Sequence, residues 1–140
     1  MAYLLAALGG ALGALARWSI TTALPTAEGG WPWATLLINL SGCLLIGVLL
    51  AVVLHSFPTS AWIRPFLAVG VLGGYTTYST FAVEVVRLAD GGSWPTALGF
   101  VLASVLGGTG CVLAGRLAAR AALHRTESVL AELEAGEDQT

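Results

Sequence analysis

Four long apolar runs dominate the chain, at roughly residues 3–24, 33–54, 62–88 and 95–123. Each reaches the roughly 20 residues a helix needs to cross the hydrocarbon of a bilayer, so the pattern predicts four transmembrane helices in an all-α integral membrane fold. The interruptions carry turn and breaker residues: Pro25, Glu28, Gly29, Gly30 and Pro32, then His55, Phe57 and Pro58, then Asp90, Gly91, Gly92 and Pro95. Trp18, Trp31, Trp33, Trp62 and Trp94 cluster at the run ends, where interfacial aromatics sit. After Leu123 the pattern changes to His124-Arg125-Thr126-Glu127 and an acidic stretch with Val129, Leu130 and Leu133 at helical spacing. Residues 1–124 therefore read as a four-helix membrane unit and 125–140 as an acidic, partly helical soluble tail.

Composition explains why the runs are so long. Of the 140 residues 56% are hydrophobic and only 10% charged, against about 25% charged in a soluble domain. The net charge of -2 belongs to the tail, because Glu127, Glu132, Glu134, Glu137 and Asp138 all follow residue 126; up to there six Arg face Glu28, Glu84 and Asp90. No basic cluster interleaved with aromatics points to nucleic acid. Cys43 and Cys111 lie inside apolar runs and behave as small hydrophobes rather than disulfide partners. The N-terminal run has no basic flank and is kept as a first helix, not a signal peptide. Arg64, Arg116, Arg120 and Arg125 fall on the side of the termini, against Arg17 and Arg87 opposite. That excess favours both termini inside, and its small size leaves room for insertion both ways. There is no CxxC, HExxH or phosphate loop, and both histidines lie outside the spans, so no enzyme is expected.

Polar residues within the spans mark packing contacts, pathways or sites, because hydrocarbon penalises them. Arg17 near the end of the first run reads either as an interface anchor or as the lining of a vestibule. Thr35 and Asn39, four residues apart, share a helix face near Gly42, as interhelical glue or as a site. In the third run Gly73-Gly74-Tyr75-Thr76-Thr77-Tyr78-Ser79-Thr80-Phe81 is a poor helix interior near mid-span. It predicts a break, which membranes tolerate only when it is buried in protein or lines a cavity, and whose freed carbonyls can bind a cation such as sodium. Tyr78 and Phe81 share a face and offer positive ring edges. Phe100, Ser104 and Gly108 repeat every four residues in the fourth run. Glu84 reads as a local pair with Arg87.

Three patterns in order, Gly9-Gly10-x-x-Gly13-Ala14-x-x-Arg17-Trp18, Thr35-Leu36-x-x-Asn39-x-x-Gly42 and Gly73-Gly74-x-Thr76-Thr77-x-Ser79-Thr80-Phe81, resemble the small fluoride channels of the Fluc/CrcB family. The resemblance implies a fluoride-selective channel that lowers cytoplasmic fluoride by passive export across the cell membrane. It implies an antiparallel, dual-topology dimer with a structural Na+ at its centre. Carbonyls of Gly73 and Thr76 would hold that sodium. Asn39, Tyr78, Phe81, Thr80, Ser104 and Thr35 would form the fluoride pathway, and Arg17 its vestibule. The chain departs from the family in Tyr78 where Phe is usual, in Phe100 where Tyr is frequent and in Gly108 where Ser is frequent. Some relatives pair unlike subunits, so a homodimer and a heterodimer both stand. Two other readings compete: a small multidrug-resistance-type transporter, whose first helix should carry a carboxylate that is absent here, and a non-conducting partner subunit.

Overall fold

The computed structural model describes residues 1–56 and 62–137, with side chains for 1–53 and 62–128. The connector residues Phe57 and Pro58 and the side chains of His55, Val129, Leu130 and Leu133 lie outside that description. Among the described residues the chain is all helical. It comprises α1 (Ala2–Ala23), α2 (Trp33–Ser56), a wide π-helical stretch (Arg64–Leu72) that continues into α3 (Gly73–Tyr75), then α4 (Tyr78–Asp90) and α5 (Trp94–Glu137). Four spans are long and apolar enough to cross a membrane: Ala2–Ala23, Trp33–Val53, Arg64–Asp90 and Trp94–Ser128. The four apolar runs thus become four spans. The first and third connectors turn where glycine permits it, with φ +67° at Gly29 and +76° at Gly92.

Small residues decide the packing. α1 lies along the first half of the third span, and α2 along α5. A Cβ added at Gly9 would strike the Phe66 carbonyl, and one at Gly74 the Gly10 carbonyl. Across the other pair, Gly47 faces the Val112 carbonyl and Gly115 the Leu44 carbonyl. Such backbone-to-backbone approach is how membrane helices gain contact where burial from water supplies no drive. Between α2, α4 and α5 sits a core of Leu36, Leu88, Ala97 and Phe100, with Trp31 and Phe81 packed against it.

The third span breaks, as its composition predicts, but not at its glycines. Gly73 and Gly74 are helical, and Gly74 is spent on contact with α1. The chain opens two residues later, with ψ 158° at Thr76 and φ -146°, ψ 121° at Thr77. Two successive β-branched residues favour extended backbone. At the other end of the chain, α5 runs on past residue 124 to Glu137, so the change of composition there is not the end of a helix.

Candidate functional site

The break is held by a side chain from another helix. Asn39 of α2 donates from Nδ2 to the Thr77 carbonyl at 2.9 Å and accepts at Oδ1 from the Thr77 amide, also at 2.9 Å. One amide side chain therefore satisfies both backbone groups that the extended residue removes from the helical ladder. Thr77 in turn caps α4: its hydroxyl accepts from the Thr80 amide at 3.1 Å and donates to the Thr80 hydroxyl at 2.9 Å. The hydroxyl of Thr76 donates back to the Leu72 carbonyl at 2.8 Å, and Ser41 and Tyr75 share a hydrogen bond of 2.8 Å just behind. Gly42 lets α2 approach, since a Cβ there would meet the Thr76 methyl.

Two consequences bear on ligands. Because the Thr77 amide goes to Asn39, the Gly73 carbonyl lacks the partner that an unbroken helix would give it. The extended ψ of Thr76 likewise turns its carbonyl away from the helical direction. Oxygen donors of this kind suit a hard cation, and no group of three or more His, Cys, Asp or Glu offers an alternative among the described residues. The second Nδ2 hydrogen of Asn39 has no partner among the described residues, so Asn39 is both a clamp and an uncommitted donor.

A groove of about 460 Å³ runs beside the break, and its walls include Asn39, Gly42, Cys43, Gly73, Thr76, Tyr78, Phe81 and Ser104. The Ser104 hydroxyl is buried without a hydrogen-bond partner among the described residues. Tyr78 is 81% exposed on the groove's rim. The Tyr78 and Phe81 rings lie 6.0 Å apart, and Phe81 stacks obliquely on Phe100 at 5.3 Å. The structure thus gathers Asn39, Gly73, Thr76, Tyr78, Phe81 and Ser104 on one groove. Thr80 joins them through Thr77. Thr35 is buried one turn before Asn39. Arg17, half-buried on α1, is outside the groove lining. Cys43 and Cys111 are free thiols.

Two features were not anticipated from the residues alone. The capping role of Thr77 is the first, although a Thr immediately before the restart of a helical run is a capping signal. Glu84 lies beside Thr35 and within reach of the Arg87 charge, and among the described residues it forms no ion pair with Arg87. Its Oε2 is buried with no partner, at the edge of a cleft of about 680 Å³ under the loop that joins α1 to α2.

Comparison with known proteins follows the same lines. A family model described as "CrcB-like protein, Camphor Resistance (CrcB)" matches residues 4–116. "Fluoride-specific ion channel FluC 2" of Nocardia farcinica is 46% identical over 113 residues, covering 81% of each chain. "Fluoride-specific ion channel FluC" of Bordetella petrii is 43% identical over 119 residues, 85% of this chain and 91% of the relative. "Fluoride-specific ion channel FluC 2" of Streptomyces avermitilis is 43% identical over 99 residues, 71% of this chain and 63% of the relative.

Proposed function

The chain belongs to the CrcB family of multi-pass membrane proteins, and from that premise we propose that it conducts fluoride passively out of the cell as half of a dimer. The observation that carries this reading is the groove beside the break. At mid-span a membrane protein presents there an Asn39 N–H and a Ser104 hydroxyl that no group among the described residues uses. Unused donors at that depth are expensive unless a ligand or water takes them. Both are donors, and the neighbouring Phe81 contributes a positive ring edge without a full charge. A small, strongly hydrated anion needs a succession of such partners to leave water. Thr80 on α4 and Thr35 on α2 are assigned to the polar path, and Arg17 on α1 to the aqueous approach. Tyr78 adds a phenol at the mouth.

The groove is open along the flank of a single chain, where hydrocarbon would meet Asn39 and Thr76. A second subunit covering that flank answers the mismatch, and an antiparallel arrangement suits a chain whose Arg bias is small. At that junction the freed Gly73 and Thr76 carbonyls of both subunits would hold a sodium ion, which supplies a fixed positive charge beside the anion path. The numbered names of the Nocardia and Streptomyces relatives leave a second, unlike subunit as the alternative to a copy of this chain.

The test is direct. Purified protein reconstituted into fluoride-loaded liposomes should release fluoride to an external electrode once a potassium shunt is opened. Efflux no faster than from empty liposomes, with the protein shown to be inserted, would remove the channel reading; efflux appearing only when a homologous subunit is added would make the chain half of a heterodimer.

A further inference from the structure

A third concavity lies on the opposite side of the molecule from the loop that joins α1 to α2. α2 and α5 touch backbone to backbone at Gly47 and Gly115. Toward the chain termini a wedge of about 460 Å³ opens beside this contact. Its floor is apolar, with Leu50, Ala51 and Val112; its rim is basic, with Arg116, Arg120 and His124 spaced one turn apart along α5. Some 20 residues from Trp94 carry α5 across the hydrocarbon to about residue 113, so the rim stands at the level where lipid headgroups lie. Both arginines are exposed and, among the described residues, neither has a carboxylate partner, whereas His124 lies 3.5 Å from Glu127.

We propose that this wedge is a binding site for the phosphate headgroup of one anionic phospholipid, with Arg116 and Arg120 holding the phosphate and an acyl chain lying on the Leu50–Val112 floor. A basic pocket between helices at the interface matches lipid headgroups, and guanidinium pairs bind phosphate through parallel N–H donors. An apolar floor continuous with the basic rim selects lipid over free phosphate, which would have no use for it. The fluoride pathway plays no part in this, so the site stands or falls separately from conduction.

The full chain, purified in dodecylmaltoside micelles doped with either dioleoylphosphatidylglycerol or dioleoylphosphatidylcholine, is examined by native mass spectrometry for retained lipid. Phosphatidylglycerol should be retained in preference to phosphatidylcholine. Arg116→Gln/Arg120→Gln should weaken its retention roughly thirty-fold, from the contribution of each interfacial arginine to anionic-lipid attraction. Arg125→Gln, which removes a charge from α5 outside the wedge, should retain lipid as the native chain does. Excess inorganic phosphate should neither bind nor displace it. Equal retention of both lipids, undiminished retention by the double Gln variant, or displacement by phosphate would each overturn the assignment. Should the Gln variant not fold, the native chain's preference between the two lipids and retention by Arg116→Lys/Arg120→Lys decide the matter.

Discussion

At the scale of single residues, substitutions at Asn39 and Ser104 test structural duty apart from the proposed transport. Asn39→Asp replaces an N–H by an oxygen that faces the Thr77 carbonyl at 2.9 Å. Leaving that acceptor unsatisfied costs about 1–3 kcal/mol, so the variant should melt earlier in detergent and lose fluoride efflux together. Ser104→Ala breaks no hydrogen bond among the described residues, because the hydroxyl has none there. Its melting temperature should stay put while efflux falls about tenfold, the loss expected for one donor on the path. Unchanged efflux in Ser104→Ala would strike that hydroxyl from the pathway. The residues alone leave Asn39 open between glue and site; the geometry uses one amide hydrogen as glue and leaves the other without a partner among the described residues. Nothing local in the sequence reveals this, since Asn39 and Thr77 are 38 residues apart.

At the scale of elements, the third span is two helices joined by an extended pair. Glycine and threonine divide the labour within it: Gly74 lets α1 come into contact, while Thr76 and Thr77 open the chain. The break is legible as composition, but its site is displaced, because a glycine used for close packing is not free to interrupt a helix. Substitution should expose this division. Gly74→Val would drive a side chain into the Gly10 backbone and should lower stability by about 1–3 kcal/mol, seen as an earlier thermal transition in detergent. Gly110→Ala meets nothing within 4 Å and should stabilise α5 by up to about 1 kcal/mol through helix propensity. Equal effects of the two would mean that α1 and the third span do not meet as closely as described. α5 itself, 44 residues long, extends about 66 Å against roughly 30 Å of hydrocarbon, so its C-terminal portion projects past the bilayer.

For the whole molecule, the proposed dimer would cover the groove that a single chain leaves open on its flank. Light scattering of the purified protein, corrected for detergent, should give the mass of two chains. With Cys43 and Cys111 replaced, a cysteine at the exposed loop residue Glu28 should be labelled by an impermeant maleimide about half from each side of the membrane, as dual insertion requires. Labelling from one side only would overturn an antiparallel dimer of this chain with its own copy, and would leave parallel copies or an unlike subunit inserted the other way.

Four spans, with their ends except the C-terminal end of α5, are written in the sequence, because crossing hydrocarbon depends on length and mean polarity, which are sums over neighbouring residues. A break somewhere within residues 73–81 is written there too, for the same local reason. Which residues face one another is not. The Asn39 clamp on Thr77, the meeting of Glu84 with Thr35, and the wedge that joins Arg116 and Arg120 to the α2 floor all depend on how far glycines let particular helices approach. That is a property of paired surfaces, and only the tertiary structure brings those surfaces together.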